Sequence, residues 1–189
     1  MSIEEPQFTS IEKNGRFELR LYSPMILAET YVQGSLDEAS NAGFRLIAGY
    51  IFGNNKGRPG SSSEKISMTA PVTLEPCSKK IDMTAPVVVE NNSDRWRVHF
   101  VMPTSYNINT LPIPNDPLVT LREIPIQKAA VIVFSGLVNE SKMKEKTSAL
   151  LGWMKARGLE QTSIPQLARY NPPWTLPFLR RNEILINCL

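Results

Sequence analysis

The chain contains one eight-residue sequence twice, as Lys65-Ile-Ser-Met-Thr-Ala-Pro-Val72 and Lys80-Ile-Asp-Met-Thr-Ala-Pro-Val87. The copies start fifteen residues apart and differ at one position. In both copies, apolar side chains occupy every second position, which is typical of a strand with one buried face. We therefore predict two strands of one sheet, joined by a polar turn at residues 75–79, with Met68 and Met83 both buried. The apolar set of the first strand is Ile66, Met68, Ala70, Val72 and Leu74, and the opposite set is Ser67, Thr69, Pro71 and Thr73.

The segments around this repeat predict further strands and a helix. Asn14-Gly15 is a strong hairpin signal because both residues tolerate a positive φ angle. Ser35 and Glu38 form a capping-box pattern that begins a helix, which we expect to run to about Phe52. The other predicted strands are 7–13, 16–22, 25–33 and 96–102, and residues 57–63 form a loop rich in Gly, Pro and Ser.

The first half of the chain recurs weakly in the second half. A shift of 102 residues lays Phe17–Gly34 on Val119–Gly136 without a gap, and the same shift lays residues 70–74 on 172–176. A shift of 104 residues aligns the apolar positions of two helices. These positions step by 4, 3 and 4 residues in both helices, which is the spacing of one buried helical face.

This recurrence predicts an α+β fold with an internal duplication. Two strand-strand-helix-strand-strand halves, approximately residues 7–90 and 95–189, are expected to be related by a pseudo-two-fold axis. Their antiparallel strands should curl into one sheet or distorted barrel, with the two helices packed on it. We expect residues 1–189 to form a single domain.

Composition and charge are those of an ordinary globular protein. Hydrophobic residues make up 42% and charged residues 21% of the 189 residues, and the net charge is +3. That charge is too small to indicate nucleic-acid binding. The N-terminus lacks the basic and apolar segments of a signal peptide, and no apolar run approaches the ~18 residues of a membrane span. We expect a cytoplasmic protein with no nucleic-acid partner and no membrane span, and the sequence identifies no protein partner.

Residue types on which many enzymes depend are sparse. His99 is the only histidine, so the chain has no multi-histidine metal site. Cys77 and Cys188 lack the spacing of metal ligands, and no Gly-x-Ser-x-Gly motif occurs. On its predicted strand, His99 lies opposite the apolar set Trp96 and Phe100. We therefore expect His99 to be structural or solvated, and we predict no catalytic residue and no structural metal.

The outer face of the first predicted helix carries aromatic residues. Phe44 and Phe52 lie on the nominally wet side, with the small Ala48 between them and Arg45 beside them. This arrangement is typical of a platform for a flat apolar ligand. The alternative is that a loop at residues 54–64 covers both rings. The inward set is Leu36, Ala39, Gly43, Leu46, Ile47 and Tyr50, and the outward stripe is Asp37, Asn41, Phe44, Arg45, Ala48 and Phe52.

A second candidate ligand contact is the segment before the C-terminus, which is dense in aromatic residues, prolines and arginines. Trp174, on a loop stiffened by proline, is placed to cap a ligand. Arg180 or Arg181 is suited to pair with ligand carboxylates. The alternative is that Tyr170, Trp174 and Phe178 close the end of the barrel while Glu183 pairs with an arginine.

Several of these motifs, in their order along the chain, resemble the SOUL haem-binding protein family. The resemblance covers about Phe8 to Leu189. It implies a distorted antiparallel barrel with two helices, akin to gyrase-inhibitor-like effector-binding domains, and non-covalent binding of haem b or another porphyrin without a universal axial ligand. The motifs are the two Ile-x-Met-Thr-Ala-Pro-Val sequences, Phe100-Val-Met-Pro103, Leu111-Pro-x-Pro114, Ala130-Val-x-x-Phe-Ser-Gly136, Pro172-Pro-Trp-Thr and Arg180-Arg-Asn-Glu-Ile184.

The resemblance also implies where a porphyrin binds. In the family, contacts lie on the first helix and in the loop before the final strand. Here these positions are Asn41, Phe44, Ala48 and Gly49, and the vicinity of Thr175 and Leu176. Basic and methionine residues of the animal proteins are replaced at several of them, so Arg45, Arg180 or Arg181 would have to bind the porphyrin carboxylates. The full candidate set is Asn41, Phe44, Arg45, Ala48, Gly49, Phe52, Trp174, Thr175, Leu176, Arg180 and Arg181.

Three functions are compatible with this sequence. The first is a tetrapyrrole-binding carrier, buffer or sensor that is not an enzyme. The second is a small-molecule hydrolase of the related effector-binding fold, in which Glu183 or Glu29 would act as a cavity carboxylate. The third is a protein-interaction module that has no ligand.

Overall fold

A computed structural model describes residues 3–59, 62–77 and 95–189 of the chain. Most of its secondary-structure elements are β-strands. The two α-helices described are α1 (Leu36–Ile51) and α2 (Glu140–Lys155), and a short 3₁₀ turn at Pro177–Leu179 precedes the last strand. The strands are β1 (Phe8–Asn14), β2 (Phe17–Tyr22), β3 (Met25–Gln33), β4 (Asn55–Lys56), β5 (Val72–Pro76), β6 (Arg95–Val101), β7 (Ile113–Pro114), β8 (Thr120–Ile124), β9 (Gln127–Phe134), β10 (Gln166–Arg169) and β11 (Asn182–Asn187).

Nine of these strands form one curled antiparallel sheet in the order β1-β2-β9-β11-β10-β5-β6-β3-β8. At its centre β10 pairs with β5. From that pair outward, β5, β6, β3 and β8 on one side correspond to β10, β11, β9 and β2 on the other. The strand order therefore has the predicted pseudo-two-fold symmetry, and the α+β fold class is confirmed. A duplication at the origin of this symmetry stays a prediction.

Element bounds match one part of the predicted recurrence and contradict another. α1 and α2 coincide at a shift of 104 residues, and β3 and β9 both begin in register at a shift of 102. The predicted match of residues 70–74 with 172–176 is wrong. Three of the five residues of the first segment, 72–74, belong to β5. Residues 172–176, in contrast, lie outside strands in the loop before β11. Prolines at 172 and 173 lack the N–H groups that a sheet ladder requires.

The two faces of the large sheet have different chemistry. α1 packs on β3 and β6, and α2 packs on β9 and β11, so we call this side the helix face. Its core is one continuous apolar cluster that includes Val98, Phe100 and Ile184 together with buried residues of both helices. The other side, which we call the polar face, carries a small apolar cluster around Tyr22 and Val131 and several buried charged residues.

The first helix is fixed by a cap and by one close contact with the sheet. Ser35 and Glu38 form the predicted capping box, with the Ser35 N–H donating to Glu38 Oε2 at 2.9 Å. Gly43 lies so near β6 that a Cβ atom there would stand 2.5 Å from Val98. The inward set of α1 is confirmed as buried, apart from Leu46, which is half-buried against the core.

The repeated octamer is only partly a strand. In the first copy, β5 begins at Val72, and Thr69 makes an isolated bridge with Glu4. The predicted strand over 65–71 is therefore wrong. The predicted turn at 75–79 is wrong at its first two residues, because Glu75 and Pro76 belong to β5. Pro71, which has no N–H, interrupts the ladder. Ile66 is nevertheless buried and Met68 packs against the core as predicted, whereas the second copy and Met83 lie outside the described residues.

Candidate functional site

Two phenylalanines, Phe44 in α1 and Phe52 directly after it, are open to solvent on the predicted platform. Phe44 is 38% exposed and Phe52 is 56% exposed, so the described residues of the predicted covering loop, 54–59 and 62–64, do not cover them. The Phe44 ring is held in place by Phe100 of β6, with the ring centroids 5.7 Å apart. Asn41 and Arg45 are exposed beside them, and within the described residues Arg45 makes no ion pair or hydrogen bond.

Two smaller candidate residues of α1 differ in their surroundings. Ala48 is only 6% exposed, so its predicted place on the open stripe is wrong. A single methyl group with phenylalanines four residues before and after it is shielded by the larger side chains. Gly49 is half-buried, and a Cβ atom added there would have no neighbour within 4 Å. The surface at Gly49 is therefore open to a flat ligand.

The loop before β11 presents a second exposed apolar group. Trp174 is 82% exposed, Leu176 is 56% exposed and Phe178 is 70% exposed, while Thr175 is half-buried. Trp174 and Phe178 therefore do not close the end of the sheet, and that part of the alternative is wrong, whereas Tyr170 is half-buried. Arg180 closes the loop on itself, because its guanidinium donates to the carbonyls of Thr175 (2.8 Å) and Pro173.

The loop starts close to the first turn of α1. Arg169, at the end of β10, donates to Asp37 Oδ1 at 3.0 Å and to Ser40 Oγ at 3.4 Å. The far side of the loop is fixed to the end of β9, where the Gly136 N–H donates to the Pro177 carbonyl at 3.0 Å. We give one name, the α1–loop site, to the candidate residues that remain accessible on the α1 side and in this loop. The site consists of Asn41, Phe44, Arg45, Gly49 and Phe52 with Trp174, Thr175 and Leu176.

The second candidate arginine belongs to a different cluster on the polar face. Arg181 donates to Glu183 Oε1 through Nη2 (2.8 Å) and Nε (3.0 Å) and stacks 3.9 Å above the Tyr170 ring. It also pairs with Glu5 at 2.9 Å. A ligand carboxylate would have to displace these partners, so the structure does not bring Arg181 into the α1–loop site.

Glu183 itself is completely buried and fully hydrogen-bonded. Arg20 donates to both of its oxygens, at 2.9 and 3.2 Å, and Tyr170 donates at 2.9 Å. Burial opposes ionisation of the Arg20 guanidinium, but its interactions with Glu183 and Tyr22 together outweigh this and raise the pKa of Arg20. Glu183 does pair with arginines, as one alternative predicted. Sequence reasoning missed Arg20, although Glu18, Arg20 and Tyr22 alternate on one strand face and signal a polar inner surface.

His99 lies on the polar face of β6, opposite Val98 and Phe100, which belong to the core on the helix face. It is 6% exposed, so the solvated alternative is wrong and the structural one stands. Burial, together with the charges of Arg97 and Arg122, lowers the pKa of His99 to about 3. Its Nδ1 atom is buried and has no hydrogen-bond partner in the described part of the chain. His99 is therefore neutral at physiological pH and turned away from Phe44 and Phe100.

The remaining candidate carboxylate, Glu29, is paired as well. Its Oε2 atom accepts from Arg122 at 3.0 Å and from Arg97 at 3.4 Å. In residues 3–59, 62–77 and 95–189, no three His, Cys, Asp or Glu side chains are grouped so as to hold a metal ion. No helix of that same part is both long and apolar enough to cross a membrane.

The sequence profile of the SOUL heme-binding protein family matches residues 3–187, nearly the whole chain. The chain belongs to the SOUL haem-binding protein family. No curated protein sequence matches the chain. Membership of this family supports a haem-binding type of protein.

Solved structures share the fold of this SOUL protein at low sequence identity. The C-terminal domain of EcmrR is 14% identical with a TM-score of 0.61, and the match covers 92% of this chain and 96% of that domain. A hydrolase from Listeria innocua is 11% identical with a TM-score of 0.60, covering 95% and 94%. An uncharacterized conserved protein from Listeria innocua is 11% identical with a TM-score of 0.61, covering 92% of each chain. These likenesses confirm the effector-binding type of fold and no more.

Within the described residues, the α1–loop site of this SOUL protein combines exposed aromatic surface with one exposed cation and contains no histidine, cysteine or methionine side chain. Phe44, Phe52 and Trp174 supply exposed aromatic surface, and Arg45 is an exposed cation without an internal partner. His99 lies on the other side of the sheet.

Proposed function

We propose that this SOUL-family protein binds haem b or another porphyrin non-covalently at the α1–loop site and serves as a carrier, buffer or sensor. The observation that carries the proposal is the solvent exposure of Phe44 in α1 and of Phe52 directly after it, together with Trp174, which is 82% exposed in the loop that follows Arg169. Arg169 joins the start of that loop to the first turn of α1. Large aromatic side chains left open to water indicate a surface that a ligand covers. The membership in a haem-binding family supplies the ligand class.

The charges around the α1–loop site support contact with one porphyrin carboxylate rather than two. Arg45 is an exposed guanidinium suited to bidentate pairing with a carboxylate. Arg180 is already bonded to carbonyls of its own loop, and Arg181 to Glu183. We therefore expect weak binding in which the iron takes ligands from solvent or small molecules.

The hydrolase alternative has less support in the arrangement of the carboxylates. A general base must be able to accept a proton from water or substrate. Glu183 accepts hydrogen bonds from Arg20, Arg181 and Tyr170, and Glu29 from two further arginines. Both oxygens of Glu183 and the Oε2 atom of Glu29 already accept hydrogen bonds from arginine or tyrosine donors. We therefore do not propose catalysis.

Haemin titration of paired variants tests the proposal. Phe44→Asp should weaken haemin binding at least tenfold, because it places a carboxylate where the porphyrin face would stack. Tyr31→Asp is the matched control, since Tyr31 is also an exposed aromatic residue but lies on the polar-face side of β3. Absorbance of the Soret band gives both affinities. Equal affinities for the wild type and Phe44→Asp, or an equal loss in both variants, would contradict the proposal.

A further inference from the structure

A cleft beside the first turns of α2 is lined by three cationic side chains. Its volume is about 380 Å³, and it lies between the turn that joins β1 and β2, the end of β9 and α2. None of its residues belongs to the α1–loop site. The lining residues are Arg16, Val133, Phe134, Ser135, Lys142 and Lys146.

The charges in this cleft do not cancel. Glu145 pairs with Lys146 at 2.7 Å and with Lys142 at 3.5 Å. Arg16 has no ion pair or hydrogen bond from its side chain to any described residue. Three cations and one carboxylate leave two positive charges at the opening.

Lys146 is the most informative of the three cations because it is nearly buried. The residue is only 8% exposed, and its Nζ atom lies 6.0 Å from the centroid of the Phe134 ring. Withdrawing an ammonium group from water is costly unless a partner compensates it. Its ion-pair partner, Glu145, is 58% exposed and therefore well solvated. A nearly buried lysine at the wall of an open cleft, with a partner that lies largely in water, favours an anion in that cleft.

We propose that this cleft binds a phosphate monoester in its dianionic form. Two net positive charges match a dianion, and the planar guanidinium of Arg16 can hold two phosphate oxygens while Lys142 and Lys146 act as point charges. Ser135 adds a hydroxyl donor. A volume of about 380 Å³ leaves room for an organic group beyond the phosphate itself.

This phosphate monoester can come from a soluble metabolite or from a lipid headgroup. The exposed Leu137 (64%) and Phe178 (70%) lie near the cleft, because the Gly136 N–H, one residue after Ser135, donates to the Pro177 carbonyl. Apolar side chains beside a cationic cleft suit a lipid surface, whereas the cleft alone suits a soluble ester. The chemistry of recognition is the same in both cases.

Calorimetric titration of the full chain with inorganic phosphate and with glycerol 3-phosphate, at constant ionic strength, tests the proposal. Lys146→Met retains the buried aliphatic stem but removes the charge, and should weaken binding about tenfold. Arg16→Gln should have a similar effect. Lys144→Met, at an exposed position of the same helix, should bind like the wild type. Sedimentation with phosphatidylcholine vesicles, with and without phosphatidic acid, distinguishes a lipid source from a soluble one.

Binding of either probe that Lys146→Met weakens and Lys144→Met does not would support the proposal. Absence of saturable binding to every probe, or equal affinity in all variants, would overturn it. The haemin affinity of Lys146→Met distinguishes this inference from the proposed function. It should equal the haemin affinity of the wild type. If Lys146→Met weakens haemin binding and phosphate competes with haemin, the cleft binds porphyrin carboxylates and the inference is wrong.

Discussion

At the scale of single residues, His99 shows how a buried position determines the chemistry of a side chain. Alternation along β6 correctly places it opposite Val98 and Phe100, which contact the helix side. The same alternation does not reveal that the polar face is also covered, because burial there depends on residues distant in sequence. Arg97 and Arg122 approach the imidazole from β6 and β8, and Glu29 is its direct neighbour across the ladder.

The pKa of His99 predicts a specific loss of stability in acid. Because burial lowers it from 6.5 to about 3 in the folded protein, the unfolded chain binds a proton first as the pH falls. Stability is complete above about pH 6.5 and is lost as the pH falls towards 3. Between pH 7 and pH 5 this loss is about 2 kcal/mol.

Urea denaturation of the wild type and of His99→Gln at both pH values measures this effect. The variant cannot titrate at residue 99, so its stability should change less between pH 7 and pH 5 by about 2 kcal/mol. The carboxylates contribute equally to both proteins, so the difference isolates the imidazole. An identical pH dependence in the two proteins would show that His99 is accessible to protons in the folded state.

At the scale of elements, the helices follow from sequence far better than the repeated octamer does. The capping box and the 4-3-4 spacing are local signals, and a helix satisfies its own hydrogen bonds. A strand needs a partner, and Pro71 prevents the ladder from starting before Val72 in the first octamer. Likewise Ala48 is on the predicted helix stripe, but its size relative to the neighbouring rings decides its exposure.

The close approach of α1 to β6 predicts opposite effects of alanine at two helical glycines. Gly43→Ala would place a Cβ atom 2.5 Å from Val98 and should destabilise the protein by about 1–3 kcal/mol through overpacking. Gly152→Ala in α2 meets no atom within 4 Å and should stabilise it by about 0.5–1 kcal/mol through helix propensity. Thermal or urea unfolding of both variants measures this contrast. Effects of equal sign would show that α1 does not pack this closely.

At the scale of the whole molecule, the two halves of the chain share one sheet. β5 pairs with β10 at the centre, and β2 of the first half pairs with β9 of the second. The helix-face core is continuous beneath both helices. The recurrence in the sequence predicts this symmetry. It does not predict that the halves exchange partner strands or that Arg20 contacts Glu183, 163 positions away, because these long-range contacts have no local signal.

The shared sheet predicts that both halves unfold in one step. Trp96 and Trp153 are buried, at 8% and 9% exposure, and report on the α1 and α2 sides respectively. In a variant that retains only Trp96 and in one that retains only Trp153, the fluorescence transition in urea should coincide with the loss of far-ultraviolet circular dichroism. Fluorescence transitions that precede or follow the dichroism transition would instead indicate two independent domains.

The location of the porphyrin is the most direct test of the proposed function. We expect haemin, which is paramagnetic, to broaden the amide signals of ¹⁵N-labelled protein in residues 41–52 and 171–181, while zinc protoporphyrin shifts the same signals without broadening them. This result would place the macrocycle between Phe44 and Trp174. Broadening centred on His99 and the polar face, or no saturable change with either porphyrin, would contradict the account.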